Sequence, residues 1–262
     1  MTIGLLERKA EIIERVAQRV RDRIDSDRAD APVRFVRQFY AQVAPGDVIK
    51  DTPENLFGAA VGLWQLGQQR TPRKPTVRVY TPHLDEHGWH SAHTIVELVT
   101  DDMPFLLESV TAYLNGHDAE VHLVIHPIIE VERSDDGTLT NIREKLVGGE
   151  GTLRESYMHI QVSEQLEKQN AELKAGVERV LGDVRAAVED FPKMHARCAE
   201  VADELNERGE DVQESVAFLR WLLDDHFTFL GVRRYDFEGD RATVQPGSGL
   251  GILQPELADA FT

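Results

Sequence analysis

Cysteine, basic residues and long apolar runs are all scarce in this sequence, and each shortage removes a class of protein. Cys198 is the only cysteine among 262 residues, so no internal disulfide forms and the chain suits a reducing compartment. It reads as a small residue on a helix, not as a nucleophile. No stretch approaches the ~20 apolar residues of a spanning helix. Glu7 and Glu11 interrupt the N-terminus where a signal peptide needs an apolar core. Lys and Arg number 29 against 46 Asp and Glu, a formal net charge of −17. Such a surface repels phosphate backbones and anionic lipid, which excludes nucleic acid and membrane as partners. The acids are spread along the chain and read as solvated faces. A cytoplasmic protein is expected.

Catalytic motifs are missing too. There is no serine–histidine–aspartate arrangement, no phosphate loop and no catalytic lysine motif, so no active site is expected. Gly247-Ser248-Gly249-Leu250-Gly251 departs from the dinucleotide fingerprint, because its third glycine comes one position early and Pro255 follows. It reads as a turn, and no cofactor is expected in this chain. His83, His87, His90 and His93 have spacings that suit a metal only on a helix. Pro82, Gly88 and Trp89 argue against one, so this is a polar loop and no metal is expected.

What remains is an ordinary core-forming composition, 41% hydrophobic and 29% charged, long enough for one or two domains. Residues 1 to about 70 read as helical. Leu5, Ile12, Ile13, Val16, Val20 and Ile24 line a first helix that Asp30-Ala31-Pro32 ends. A second carries Val36, Phe39, Tyr40 and Val43 and stops at Pro45-Gly46. Thr52 caps a third, with Pro53 at its first position. Arg70 to Pro75 reads as an extended basic linker.

From Val77 to about Asp190 strands and helices mix. Thr76 to Tyr80 alternates as a strand does, and Ile95 to Val99 is a β-branched run suited to a buried strand. Thr100, Asp101 and Asp102 stop that strand, and Pro104 opens a helix carrying Leu106, Leu107, Val110, Tyr113 and Leu114. Leu106 and Val110 are expected against the strands holding Ile95, Val121 and Ile160. Val121, Leu123 and Ile125 alternate in the next strand, Pro127 marks a bend or bulge, and Ile129 and Val131 resume it. After the turn at Asp135-Asp136-Gly137 and the glycines 148, 149 and 151, Met158, Ile160 and Val162 mark a further strand. Ser163 is placed to cap the long helix that follows. The order suits an α+β, ferredoxin-like βαββαβ sandwich with an extra strand in front. The pattern leaves open which segment supplies its last strand. Helix returns from about 192 to 224, broken at Gly209, and Phe227, Phe229 and Gly231 to Tyr235 begin a new strand.

The turn after Val99 is the candidate site. Strand, acidic turn and proline-opened helix set free N–H groups beside the carboxylates of Asp101 and Asp102, an arrangement suited to a small zwitterion. The bland reading of the pair is that it caps the helix. In the binding reading Asp101, Asp102, Met103 and Pro104 line the site, and a carboxylate pairs with a ligand ammonium group.

The GW…HT…TDDMPFL…SV pattern of residues 88 to 110 resembles the first N-terminal regulatory segment of the large bacterial NAD-dependent glutamate dehydrogenases. The segment HFTFLGVRRY at 226 to 235, followed by GSGLGIL, is similar to the opening of the PAS-like domain that comes next in that family. The turn itself resembles that of an ACT domain, a small amino-acid-sensing module whose first turn commonly reads Asp-Arg-Pro-Gly-Leu-Leu. Asp102, Pro104, Leu106 and Leu107 match it position by position. Phe105 replaces the glycine whose bare backbone lets a ligand come close.

The resemblance implies an N-terminal helical segment over 1–72, an ACT-like domain over 76–190, a helical connector over 191–224 and the truncated start of a PAS-like domain over 225–262. The chain stops at Thr262, too early to complete that domain, and is expected to be cut from a longer protein. The parent would use NAD to oxidise L-glutamate to 2-oxoglutarate and ammonia through a catalytic domain far downstream. This chain would be a non-catalytic regulatory and assembly segment, with the downstream domains, further subunits of a homo-oligomer and an amino-acid effector as partners. Two alternatives stand beside it: a purely structural oligomerisation module in which Phe105 has closed the ligand niche, and a free-standing amino-acid-binding ACT protein.

Overall fold

A computed structural model describes residues 2–24, 29–149 and 151–254. The chain divides into two units. One is Met1–Asp102 with Leu107–Glu178, the other Met103–Leu106 with Arg179–Thr262.

In the first unit the amphipathic N-terminal segments form four helices, α1 (Thr2–Arg23), α2 (Asp30–Ala41), α3 (Pro45–Ile49) and α4 (Pro53–Leu66). Thr52 caps α4 as expected, its Oγ1 accepting from the Asn55 N–H at 3.2 Å, with Pro53 in the first turn. Two boundaries differ from the sequence reading. Asp30, Ala31 and Pro32 open α2 and do not close α1. Pro45 begins α3, since proline fits a first helical turn as readily as it stops a helix. Leu5 is exposed, off the buried stripe of Val16, Ala17 and Val20.

The sheet follows: β1 (Thr76–Tyr80), a short helix α5 (Leu84–His87), β2 (Thr94–Asp101), α6 (Leu106–Asn115), β3 (Val121–Ile125), β4 (Ile128–Arg133), β5 (Leu139–Ile142), β6 (Thr152–Val162) and α7 (Glu167–Asn206). The strand order is β1-β2-β6-β4-β5, and β3 also pairs with β6. Every pairing is antiparallel. β3 and β4 are two halves of one strand along β6, parted at His126-Pro127, and the Pro127 carbonyl still accepts the Tyr157 N–H at 3.0 Å. β2 and this divided strand lie on either side of β6, linked through α6, the split βαβ arrangement.

Among the described residues, nothing after α7 joins this sheet. β1 takes the outer place beside β2 that a last strand following α7 would fill. The strand in front of the pattern therefore completes it, and the mixed α+β sandwich runs ββαββα.

Both faces of β2 are buried. Val99 and Tyr157, on one face, pack with Phe35, Phe39, Tyr40 and Leu63 from α2 and α4. Ile95 shares that face and meets Ala59 and Trp89. Val96, Leu98, Met158 and Ile160 point to the opposite face and are fully buried there, as are Val110 and Leu114 of α6 and Val177 of α7. Ile95 and Ile160 are thus on opposite faces of the sheet.

α4 approaches the sheet closely because glycines face it. A Cβ on Gly58 would lie 2.3 Å from the Trp89 ring, and one on Gly67 2.6 Å from the Tyr157 ring. Tyr113 of α6 rests where a Cβ on Gly176 of α7 would be. Ser163 does not cap α7. Its hydroxyl accepts from the Glu120 N–H at 3.2 Å, and the helix begins at Glu167.

The second unit holds the later part of α7, which continues unbroken through Pro192, then α8 (Gln213–Trp221) and two small sheets. β7 (Gly231–Val232) pairs with β10 (Leu250–Gly251), and β8 (Tyr235–Glu238) with β9 (Arg241–Val244). Its core is Met194, Cys198 and Phe229 with Phe191, Leu219 and Leu223 around them. The Gly247–Gly251 segment is a turn leading into β10, and the Gly251 N–H donates to the buried Asp190 carboxylate at 3.0 Å. Pro255, and the part of the expected PAS-like opening from 255 to 262, lie outside the described residues. Among those described, no helix is long and apolar enough to cross a membrane.

Candidate functional site

β2 runs two residues further than the β-branched run suggested, through Thr100 and Asp101. α6 starts only at Leu106, so Pro104 is in the turn and not in the first helical turn. Phe105 has φ +69°, the left-handed conformation that favours glycine. The backbone keeps the shape of the glycine turn although the side chain has changed. Phe105 is half exposed, which gives no support to its filling a niche.

Asp101 and Asp102 are neighbours with different partners. Asp101 pairs with Arg70. Asp102 turns to β6, where its N–H donates to the Arg154 carbonyl at 3.0 Å and its Oδ1 accepts from the Ser156 hydroxyl at 2.8 Å. Met103 is half-buried and Pro104 exposed. Within the second unit Pro104 and Phe105 line an apolar cavity of about 280 Å³ with Val188, Phe191 and Phe229.

Arg70 shows what the linker reading missed. It is buried, and its guanidinium reaches Asp101 and, through Nε at 2.9 Å, Glu155 Oε1. Glu155 is wholly buried and also receives Arg133, from Nε at 2.7 Å and from the terminal nitrogen to Oε2 at 2.7 Å. The Tyr157 hydroxyl donates to Oε2 at 3.2 Å. Two guanidiniums and two carboxylates thus neutralise one another under α4, which lowers the cost of burying charge there. Burial works against the charge of Arg133, yet Glu155 holds its pKa above the ordinary arginine value. Burial, reinforced by Glu155, pushes the Tyr157 phenol up.

A second buried carboxylate lies on β2, the strand paired with β6. Glu97 accepts from Arg78 Nε at 3.1 Å and meets His159 Nδ1 at 3.1 Å and the Tyr80 hydroxyl at 3.4 Å. Arg78 also stacks over the Tyr80 ring at 4.5 Å. The one sequence sign of this cluster is an acid, Glu97, in the middle of the apolar run Ile95–Val99. Both carboxylates are thus held by arginine, and His159 Nε2 in the second network is buried with no hydrogen-bond partner among the described residues. The histidine loop does not converge, since His87 stacks on Tyr80 and His93 lies against His122. Among the described residues, no group of three His, Cys, Asp or Glu side chains could hold a metal.

Residues 35–177, from within α2 to within α7, match the family described as glutamate dehydrogenase, ACT1 domain. The chain is 33% identical over 242 residues to an NAD-specific glutamate dehydrogenase of Halomonas elongata, covering 90% of this chain and 15% of that protein. A relative with the same description in Pseudomonas aeruginosa is 32% identical over 232 residues, 84% of this chain and 14% of its own length. One in Mycobacterium tuberculosis is 28% identical over 209 residues, 75% and 13%. The chain therefore spans about 15% of the length of the curated relatives it matches.

Proposed function

The chain belongs to the glutamate dehydrogenase ACT1 domain family, and on that premise we propose that it is the non-catalytic N-terminal regulatory segment of a large NAD-dependent glutamate dehydrogenase. The observation that carries this reading is the family match over the whole sheet, joined to ion networks whose charges are all paired. The parent enzyme oxidises L-glutamate to 2-oxoglutarate and ammonia, using NAD bound to a downstream domain. The ACT-like module is residues 76–190, with a connector at 191–224 and a PAS-like opening from 225. The segment works in the cytoplasm within a homo-oligomer, against the downstream domains of its own polypeptide.

In the sensing form of this proposal an amino acid binds at Asp101–Pro104, its ammonium group at Asp102, and shifts the enzyme between states by differential affinity. The positive φ of Phe105 supports it, because the turn retains the glycine-like backbone. A scaffold form is favoured by a separate observation: Asp101 and Asp102 already have protein partners in Arg70 and Ser156. Calorimetric titration of the chain with the twenty amino acids separates the two. Saturable heat that Asp102→Asn reduces supports sensing, and no heat at millimolar concentration leaves the scaffold.

A further inference from the structure

The chain carries 46 acidic and 29 basic residues, yet the half-buried guanidinium of Arg34 has no acid beside it. Arg34 is on α2, and its Nη2 donates to Asn141 Oδ1 of β5 at 3.1 Å. That is its one side-chain bond among the described residues, and no carboxylate pairs with it there. Its Nε is shielded from solvent and unbonded, whereas Nη1 is neither shielded nor bonded among the described residues. The interior guanidiniums of Arg70, Arg78 and Arg133 each meet a carboxylate. An arginine taken partly out of water without a counter-charge costs stability, and a bound anion lowers that cost.

Arg34 lines a concavity of about 400 Å³ between α2 and the residues that follow β5. Arg143, Glu144 and Lys145 line it too, beside Asn141 and the apolar Ile142 and Val147. One turn after Arg34, Gln38 donates through Nε2 to the Arg143 carbonyl at 2.8 Å. The wall after β5 is therefore tied to the same flank of α2. Arg143 pairs with Glu132, and the Glu144 charge acts on Arg37, which is bonded to Glu14. Lys145 is exposed, with no carboxylate partner among the described residues. Counting Glu132 with the lining, three cations face two acids, so positive charge is left over in a chain of net −17. The volume falls in the range of small-molecule pockets.

We propose that this concavity binds a small anion, whose carboxylate or phosphate group is held by Arg34 Nη1, with Lys145 adding charge at the rim. A guanidinium suits either group, because it is planar, always charged and more weakly hydrated than an ammonium. Nη2 stays on Asn141, which fixes the orientation of the fork. Since α2 and the residues after β5 both line the site, an occupant joins them, and binding raises stability by mass action.

Inorganic phosphate and succinate serve as probes, each titrated into the full chain at constant ionic strength while the Arg34 Nε–H signal is followed by NMR. That proton suits the purpose because Nε is shielded from solvent. At least one anion is expected to move the signal saturably and to raise the thermal midpoint. The tighter of the two tells phosphate from carboxylate chemistry. Arg34→Met should weaken binding about tenfold or more, as for the loss of a charged hydrogen bond. Lys145→Gln should weaken it about twofold or more, since it removes charge at the rim. Arg208→Gln makes an equal charge change at an exposed residue elsewhere and should leave binding near wild type. An Arg34 signal unmoved by both anions overturns the proposal. So does a folded Arg34→Met chain that binds as wild type does, or an Arg208→Gln chain that loses as much as Arg34→Met. If Arg34→Met does not fold, the wild-type titration and Lys145→Gln decide alone.

Discussion

The Ser156 hydroxyl donates to Asp102 Oδ1 at 2.8 Å, and this bond ties the candidate turn sideways to β6. The preceding residue, Asp101, is held by Arg70. Adjacent residues leaving a strand point opposite ways, so the two carboxylates share a turn but not a partner. The Asp102 carboxylate is accordingly no helix cap. A ligand ammonium group that takes Oδ1 competes with Ser156 for it.

That competition is testable. Asp102→Asn keeps an oxygen for Ser156 and removes the charge, so folding should stay near wild type. If an amino acid binds through its ammonium group, affinity should fall about tenfold or more, as for a charged hydrogen bond worth ~1.5–3 kcal/mol. Ser156→Ala should act oppositely and tighten binding, since it frees the carboxylate. Titration calorimetry on both variants checks the pair of signs.

The purified chain should bind no NAD and produce no NADH from glutamate. Its glycine segment at 247–251 is a turn leading into β10, and its buried Glu97 and Glu155 are held by arginines. Absorbance at the NADH wavelength, with enzyme in large excess, checks this.

The Arg70 network should dominate the electrostatic part of stability. Arg70→Leu leaves Glu155 and Asp101 short of a partner in a buried setting and should cost about 3–5 kcal/mol. Adding Glu155→Gln should not recover that loss, because it leaves the buried Arg133 guanidinium without its carboxylate. Urea unfolding of the single and double variants measures both.

Glycines should give opposite signs. Gly58→Ala in α4 drives a methyl into Trp89 and should destabilise by about 1–3 kcal/mol. Gly182→Ala in α7 meets nothing within 4 Å and should stabilise by up to about 1 kcal/mol through helix propensity. Thermal midpoints of the two variants decide.

His126 fixes a pH dependence. Burial lowers its folded pKa below the ordinary 6.5. The unfolded chain therefore takes up the proton first as pH falls, and stability present above about 6.5 is lost below it. His126→Gln should flatten the slope of unfolding free energy between pH 7 and 5, by at most about 1.4 kcal/mol per pH unit. Unfolding midpoints across that range check it.

Much of the architecture was legible because the signals are local. TVRVY and TIVELVT alternate or are β-branched, and both are strands. Thr52-Pro53 announces a helix start, and Pro127 a broken strand. These follow from backbone dihedrals and hydrogen-bond donors that each residue carries with it. The resemblance of residues 88–110 likewise pointed to the family that the match over 35–177 shows.

Tertiary structure alone decided the rest. β1 closes the sheet beside β2, a choice between edge positions that no period in the sequence encodes. Arg70 looks like linker because its partners, Asp101 and Glu155, are 31 and 85 residues away, and only packing brings them within bonding distance. α7 continues unbroken through Pro192, although a proline removes a backbone donor from a helix interior. Phe105 takes a glycine's conformation since the strand before it and the helix after it fix both ends of the turn. Local propensity set which elements exist, while long-range pairing set where the charges and the turn ended up.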